Sequence, residues 1–451
     1  MLDIHFAPLQ GYTECAYRQA HFLYAGIKND GTNLGSGIAA YYTPFLRVEK
    51  GETRPKDLRD LQQDLEFIKS RQTNICHCEN QGYNPPLNPN CHSPLDPNCH
   101  SPLDGESSNF YNVIPQVICR DASEFSILVD AIQKLKKDCG FAPDEVFPQI
   151  DINMGCPFPM QAKSGRGSGL LPRIDAVKEI LQEVNIRSIS LSHPRVGEDL
   201  ASHNPHCHPR VGEDLTSHNT HCHPRVSEDL ASHNTHCHPR VGEDLALKHS
   251  QNALKFSVKM RLGYTSPEEC LALLPLLNEA PLAHITMHPR LGVQQYKGAL
   301  DFDAFQKFYE ESRHPLIFNG DITSIADIER LEKMYPNLAG VMIGRGLLAN
   351  PQLAHQYAFQ KSVSKICQNA HPHSNSLQAL LQIHEALLAD YRKRLQGDAQ
   401  ILDKIRPFWT YAVEAAQDPS RDHPDIPKRT IKKIAKARNL SEYLDAVKEI
   451  A

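Results

Sequence analysis

Short apolar runs alternate with segments of helical spacing along most of the chain. Eight of these runs have the length and composition of buried strands. Because strands that alternate with helices form parallel sheets, the pattern predicts an α/β fold, a (β/α)8 TIM barrel. The predicted strands span 4–8, 39–48, 113–119, 146–153, 256–261, 284–288, 316–319 and 340–343.

Two segments repeat themselves and lack the apolar residues that a core needs. The sequence HPRVGEDL begins at His193 and returns, with few changes, at His208, His223 and His238. A shorter repeat of eight residues occupies 88–103. Such polar units cannot bury enough apolar surface to offset the loss of chain entropy. We therefore expect two disordered low-complexity insertions, at 76–107 and 190–249.

The cysteines are predicted to be reduced thiols. There are 13 of them, an odd number, and seven lie in the two insertions, so a disulfide framework is not expected. Copies of His-Cys-His in the longer insertion, such as 221–223, could bind soft or borderline metals. Their spacing matches no zinc module, so we expect incidental metal affinity at most and no metal site.

Length and composition set the domain organisation. Without the insertions the 451 residues are reduced to about 360, enough for a barrel of about 250 residues and a helical domain of about 100. The predicted domains are a barrel at 1–355, a linker at 356–374 and a helical domain at 375–451. With 40% hydrophobic and 22% charged residues, and no apparent signal peptide or membrane span, we expect a cytoplasmic monomer.

The candidate active-site residues come at or just after the ends of the predicted strands, because the active site of a parallel barrel lies at the C-terminal ends of its strands. Cys156 lies just past the fourth strand, although an isolated cysteine is more often an inert core thiol. Glycine-containing segments at 319–322 and 344–348 follow the last two strands and predict a phosphate site. Lys259 and His288 are polar residues within predicted strands. A structural role is as compatible with each of them as a functional one: a polar residue at a solvated strand end, or a core histidine whose hydrogen bonds are satisfied.

Six segments together form a more specific signature. They are APLQGYT at 7–13, YYTPF at 41–45, NMGCP at 153–157, VKMRLG at 258–263, NGDI at 319–322 and VMIGRG at 341–346. In this order and spacing they closely resemble the tRNA-dihydrouridine synthases, a family of flavoenzymes. The resemblance covers the barrel and, more weakly, the helical C-terminal region, and leaves only the two insertions outside it.

The resemblance implies FMN across the mouth of the barrel and NADPH as the reductant. It implies reduction of the 5,6 double bond of specific uridines in tRNA, with a hydride delivered to carbon 6 and a proton from Cys156 to carbon 5. A thiol suits this step because its ordinary pKa, about 8.5, leaves it protonated at neutral pH. The implied cofactor-binding residues are Pro8, Leu9, Gln10, Gln116, Lys259, His288, Asn319, Gly320, Asp321, Gly344 and Arg345. The implied substrate-binding residues are Asn153, which would orient the uracil, Lys163 and Arg290.

Basic residues cluster in the helical C-terminal region, for example at 392–394 and 428–438. A charge run is commonly a solvated helix face, but the resemblance implies that this region binds tRNA, chiefly through phosphates and shape. Trp409, the only tryptophan, is expected to pack in the core of this region rather than stack on a base.

Two other functions fit parts of the sequence. An FMN-dependent barrel oxidoreductase acting on a free pyrimidine or small enone would share the phosphate loops but would not need a basic helical domain. A non-enzymatic RNA-binding or metal-binding protein would rely on the His/Cys repeats. The presence of Cys156, Lys259 and both phosphate loops argues against the second alternative.

Overall fold

The computed structural model of the chain describes residues 1–26, 35–79, 110–142, 144–190, 253–363, 376–415 and 426–450. The repeats of both predicted insertions lie outside these residues, so their disorder stays a prediction. Residues 76–79, assigned from the sequence to the first insertion, instead end the helix Pro55–Glu79. No proline or glycine interrupts this helix after its first residue. No helix within the described residues is long and apolar enough to cross a membrane.

The sheet confirms the predicted barrel. Its strands are β1 Asp3–Phe6, β2 Ala40–Tyr42, β3 Leu46–Glu49, β4 Glu52–Thr53, β5 Val113–Ile114, β6 Gln116–Ile118, β7 Gln149–Met154, β8 Lys255–Gly263, β9 Leu282–Leu291, β10 Leu316–Asn319 and β11 Leu338–Ile343. Their order is β4-β3-β6-β7-β8-β9-β10-β11-β1-β2-β5, and every pair is parallel except β3 with β4. Because β2 and β3 are two parts of one predicted strand, and β5 and β6 of the next, the eight predicted strands close into a ring.

The second and third predicted strands are each broken near a proline. Pro44 and Pro115 have no backbone N–H to give to the ladder, so regular pairing stops there. The side chain of Thr43 bridges the gap, since its Oγ1 accepts a hydrogen bond from the Gln116 N–H at 3.0 Å. The Asp151 N–H donates to the Pro115 carbonyl at 2.9 Å. These bonds hold Gln116 and Asp151 beside each other near the mouth of the barrel.

Helices connect the strands and cover the barrel. The longer barrel helices are Cys15–Tyr24, Pro55–Glu79, Ala122–Asp138, Ile174–Ser190, Glu268–Glu279, Phe302–Glu311, Ile325–Met334 and Leu353–Val363, with short helical segments at Pro159–Lys163, Gly167–Leu170 and Arg345–Ala349. Side-chain caps mark three of their starts. Asp301 accepts from the Ala304 N–H. Asp121 accepts from the Glu124 N–H, and Ser324 forms a reciprocal capping box with Asp327.

The predicted linker 356–374 is wrong at its start. Residues 356–363 belong to the helix Leu353–Val363, which completes the barrel after β11. Leu353, Ala354 and Tyr357 are buried on its inner face, and the Leu2 N–H donates to the Tyr357 hydroxyl at 3.2 Å. This apolar face fixes the helix against the barrel, so the chain leaves the barrel later than predicted.

The C-terminal helices pack directly on the barrel. They are Ser376–Arg394, Asp398–Ile405, Arg406–Trp409, Thr410–Ala415, Lys428–Lys436 and Leu440–Lys448. Trp409 is 2% exposed, and its Nε1 donates to the Tyr443 hydroxyl at 3.0 Å, which confirms that it is a core residue. Tyr17 of the barrel lies against Phe408, with ring centroids 6.1 Å apart. Residues 1–188 and 254–451 accordingly form one compact unit.

Buried histidines predict that the fold loses stability in acid. Burial lowers the pKa of His5 and His21 to about 3, and that of His284 and His384 to about 4. In the unfolded chain a histidine titrates at about 6.5, so below that pH the unfolded state binds more protons than the folded state. We expect a loss of about 1 kcal/mol per histidine between about pH 6.5 and pH 5.5, measured by urea unfolding.

A His284→Gln variant provides the control. A glutamine can keep the hydrogen bond that the ring Nε2 makes with the Tyr42 hydroxyl at 2.9 Å, and it does not titrate. The slope of stability against pH should therefore be shallower in this variant between pH values of about 5 and 6.5. An unchanged slope would contradict the assignment of His284 to the acid response.

Candidate functional site

A cavity of about 690 Å³ opens at the C-terminal ends of the strands. This volume is within the range of small-molecule and cofactor sites, about 300–1,000 Å³. Thirteen of the fifteen residues predicted for the site line it: Pro8, Leu9, Gln10, Gln116, Asn153, Cys156, Lys259, His288, Asn319, Gly320, Asp321, Gly344 and Arg345. The barrel topology therefore brings together side chains that are far apart in sequence.

Cys156 lies in the loop directly after β7. Its backbone N–H donates to Asn153 Oδ1 at 2.8 Å, and its carbonyl accepts from the Ser168 N–H at 3.0 Å. Gly167 has a φ of +57°, and a Cβ there would lie 2.6 Å from the Cys156 carbonyl oxygen, so only glycine lets the two segments approach this closely. Burial raises the pKa of the Cys156 thiol, which is therefore protonated at neutral pH.

Lys259 lies beside this loop, because β8 pairs with β7 in a register that places Lys259 opposite Asn153. Burial, reinforced by the nearby Arg261 charge, lowers the pKa of Lys259 to about 8, while Asp151 opposes the shift. The ammonium group is thus still mostly protonated at neutral pH. A half-buried cation at the cavity wall can stabilise negative charge that develops on a bound ring.

Sequence reasoning missed Arg261, which also lines the cavity. Its guanidinium donates to the carbonyls of Gly155 at 3.0 Å, Leu291 at 2.9 Å and Gln295 at 2.7 Å. It therefore ties the Cys156 loop to the loop after β9. The alternation of side chains along a strand puts Lys259 and Arg261 on the same face, and this signal could have found it.

The far side of the cavity is formed by the loops after β10 and β11. Gly346 allows their close approach, since a Cβ there would lie 2.4 Å from the Ile322 carbonyl oxygen. The Asp321 carboxylate accepts hydrogen bonds from Arg290 at 3.0 Å and Arg345 at 2.7 Å. We expect Asp321 to hold these guanidinium groups in place, because a carboxylate would repel an anion that the loops bind.

His288 shares this side of the cavity. Burial, with the positive charges of Arg261 and Lys259, lowers the pKa of His288 well below its ordinary value. The ring is thus neutral at physiological pH, and its Nε2 lies 3.3 Å from a guanidinium nitrogen of Arg290. Because the guanidinium can only donate, Nε2 accepts, which leaves the proton on Nδ1.

Two predicted substrate-binding residues, Lys163 and Arg290, are not among those that line the cavity. Lys163 is exposed at the end of the short helix Pro159–Lys163. Arg290 is 4% exposed and donates to the Gly298 carbonyl as well as to Asp321. Its donors are directed at the protein, so its placement fits support of the site rather than direct contact with a substrate.

Comparisons with known proteins show what this chain is similar to. A family model described as "Dihydrouridine synthase (Dus)" matches residues 123–188 and 245–421, just over half of the chain. A tRNA-dihydrouridine(16) synthase of Pseudomonas syringae pv. tomato is 33% identical over 102 residues, which are 23% of this chain and 32% of that protein. The chain thus spans about a third of the length of this relative. A probable tRNA-dihydrouridine synthase of Staphylococcus epidermidis is 24% identical over 308 residues, 67% of this chain and 69% of that protein.

Two solved structures are more distant. Morphinone reductase is 7% identical, with 80% of this chain and 86% of that chain covered and a TM-score of 0.36. The structure of TcOYE with pHBA is 8% identical, with 79% and 89% covered and a TM-score of 0.39. Likenesses this weak support no statement about the site.

Proposed function

This chain belongs to the dihydrouridine synthase family, and we propose that it reduces the 5,6 double bond of uridines in tRNA with FMN and NADPH. The observation that carries the proposal is a protonated thiol, Cys156, on the wall of the cavity that also holds Lys259 and the two glycine loops. A proton donor, a cation and an anion-binding end in one cavity suit the reduction of an enone-like ring. Its cytoplasmic location and monomeric state stay predictions.

The residues present fit FMN. The cavity has the volume of a cofactor site, and the loops after β10 and β11 approach each other through Gly346, so backbone groups can surround a phosphate. Arg345, oriented by Asp321, would supply a charge-assisted hydrogen bond to that phosphate. Lys259 would face the flavin ring at the other end of the cavity, and Pro8, Leu9 and Gln10 would line it. When bound, FMN supplies the hydride for carbon 6 of the uracil.

Cys156 would donate the proton that carbon 5 needs. A general acid must hold its proton at the working pH, and the burial that raises the thiol pKa ensures this. Asn153 lines the same cavity, and its Oδ1 accepts the backbone N–H groups of Gly155 and Cys156. Its amide nitrogen has two N–H donors, one of which donates to Gln116 Oε1 at 2.7 Å. We propose that the second N–H of this amide orients the uracil, while Oδ1 holds the backbone of the loop that carries the thiol.

The base must leave its stack in the RNA to reach this cavity. Exposed cations of the helix Lys428–Lys436 are suited to bind the tRNA backbone while the base lies in the cavity. Lys428, Lys432 and Lys436 recur every fourth residue and are exposed, so they share one face of the helix. Lys433, in contrast, pairs with Glu449.

We expect Lys432→Glu combined with Lys436→Glu to weaken tRNA binding and to flatten its salt dependence. Each phosphate contact removed should lower the slope of log affinity against log salt by about one. The matched control is Lys134→Glu with Lys178→Glu, an equal charge change at exposed positions of two barrel helices. Equal effects of the two double variants would indicate a response to net charge and would contradict an RNA-binding face on this helix.

An anaerobic experiment tests the proposed function. The purified protein is reduced with NADPH, unmodified tRNA is added, and recovery of the oxidised flavin absorbance is followed, with free uridine in a parallel sample. We expect rapid recovery with tRNA and little with uridine. Recovery only with small enones or free pyrimidines would assign the barrel to another reductase activity, and protein that neither contains nor binds FMN would overturn the proposal.

A further inference from the structure

A chain of buried hydrogen bonds runs from the interior of the barrel to the Cys156 loop. The Asp151 carboxylate accepts from the Ser257 hydroxyl at 2.6 Å and from Gln116 Nε2 at 2.8 Å. Asn153 Nδ2 donates to Gln116 Oε1 at 2.7 Å. Asn153 Oδ1 accepts from the backbone N–H of Cys156 at 2.8 Å. We refer to Asp151, Gln116 and Asn153 as the amide relay.

The backbone N–H of Cys156 determines which group donates and which accepts in each hydrogen bond between the members of the relay. A backbone N–H can only donate, so Asn153 must turn its Oδ1 to Cys156 and its amide nitrogen to Gln116. Gln116 must then present its oxygen to Asn153 and its amide nitrogen to position 151. That nitrogen needs an acceptor, and an ionised carboxylate can only accept. An ionised Asp151 therefore accepts from Gln116, which is the direction that the Cys156 backbone requires.

Because the relay is buried, the loss of one hydrogen-bond partner should disturb the others. Asp151, Gln116 and Ser257 are 0% exposed, and Asn153 is 7% exposed. Water cannot replace a lost partner at such positions without rearrangement, and an unsatisfied buried polar group is destabilising. Gln116 and Asn153 also line the cavity, whereas Asp151 lies behind them. By hydrogen bonding, the carboxylate thus reaches the site only through the two amides, while its charge also favours the protonated form of Lys259.

We propose that Asp151 is a positioning residue for Cys156: through Gln116 and Asn153 it fixes the orientation of both cavity-lining amides and holds the thiol-bearing loop in place. The inference rests on the proposed function for its catalytic consequence, because the thiol acts there as the acid. The structural claim, that Asp151 holds the Cys156 loop in place, does not depend on that function.

The first test is Asp151→Ala, compared with Ser257→Ala. The aspartate variant removes the acceptor of Gln116, whereas the serine variant removes the other hydrogen bond of Asp151 and leaves the relay intact. We expect alkylation of Cys156 by iodoacetamide, followed by peptide mass spectrometry on FMN-free protein, to be at least about fivefold faster in Asp151→Ala. We expect a change of less than about twofold in Ser257→Ala.

The second test exchanges acid and amide along the relay. Gln116→Glu alone faces two buried carboxylates towards each other, so we expect faster Cys156 alkylation. In Gln116→Glu with Asp151→Asn, the new amide at 151 donates to the new carboxylate at 116, which still accepts from Asn153. The double variant should return the alkylation rate to within about twofold of the wild-type rate. This rescue also decides the question if Asp151→Ala fails to fold.

The third measurement separates this inference from the proposed function. In folded Asp151→Ala loaded with FMN, we expect tRNA-dependent flavin reoxidation at saturating tRNA to slow at least about tenfold, with unchanged tRNA affinity. A wild-type protein that tRNA cannot reoxidise would overturn the proposed function and leave the alkylation results standing. Unaltered Cys156 alkylation in Asp151→Ala, or no rescue by the exchange, would overturn the role of Asp151.

Discussion

Replacing Cys156 by alanine is expected to slow the tRNA-dependent reoxidation of reduced flavin by at least about a hundredfold. General acids contribute about 10²- to 10⁴-fold to enzymatic rates, and no other cysteine among the described residues lines this cavity. Cys156→Ser keeps the size of the side chain, but a hydroxyl donates a proton far less readily than a thiol. It should therefore be nearly as slow as Cys156→Ala. Single-turnover absorbance measurements under anaerobic conditions give both rates.

The Cys139→Ala variant is the matched control. Cys139 is a partly exposed free thiol at the end of the helix Ala122–Asp138 and is not among the residues that line the cavity. Its removal should leave reoxidation by tRNA unchanged. Reduction of the flavin by NADPH should also be unchanged in Cys156→Ala, since it does not require the acid. A Cys156→Ala protein that reoxidises at the wild-type rate would assign proton donation to another group.

The pH dependence of the same rate offers a second check on Cys156. The proposed acid is active as the thiol and inactive as the thiolate. Because burial raises its pKa, the thiol fraction stays constant through neutral pH and falls only in alkaline solution. The single-turnover rate should therefore not increase through neutral pH and should fall in alkaline solution, where the Lys259 ammonium, whose pKa is about 8, also loses its proton. A rate that increased with pH through neutrality would instead indicate a thiolate nucleophile.

The sequence predicted the barrel well because its strands are buried on both faces. Apolar runs such as the one around β7 can be recognised from sequence alone, and the glycine-containing loops follow β10 and β11 as predicted. That these loops bind a phosphate stays a prediction. The breaks at Pro44 and Pro115 were not predicted, because a proline in an apolar run does not reveal which side chain will replace the lost hydrogen bond. Thr43 does so, and only the fold places it opposite Gln116.

The candidate site was predictable as a set of positions but not as a set of contacts. Strand ends predict which residues reach the cavity, whereas partner choice depends on three-dimensional neighbours. Arg290 was expected to contact substrate, but it is buried behind the cavity lining, where Asp321 and the Gly298 carbonyl take its donors. Likewise, Asp151 reads as one polar residue in an apolar strand, and its link to Asn153 runs through Gln116 of another strand.

Replacing Arg18 by methionine is expected to destabilise the barrel by about 3–5 kcal/mol, because it leaves the buried Asp64 and the half-buried Asp60 carboxylates without their cation. Arg18 and Asp64 are both 0% exposed and form an ion pair, and Arg18 also lies 2.9 Å from Asp60. The Tyr111 hydroxyl donates to Asp64 at 2.7 Å, which cannot by itself compensate a buried negative charge. Urea unfolding of the variant and the wild-type protein measures the difference.

The exposed Arg438 provides the comparison for this prediction. Its side chain is 84% exposed beside Glu442, so Arg438→Met should change stability by less than about 0.5 kcal/mol. In Arg18→Met the unpaired Asp64 takes up a proton more readily when folded than when unfolded, since burial already raises its pKa. The stability difference from wild type should therefore shrink as the pH falls towards the carboxyl range. A difference that is small at neutral pH, or that grows in acid, would show that Arg18 does not serve to neutralise these carboxylates.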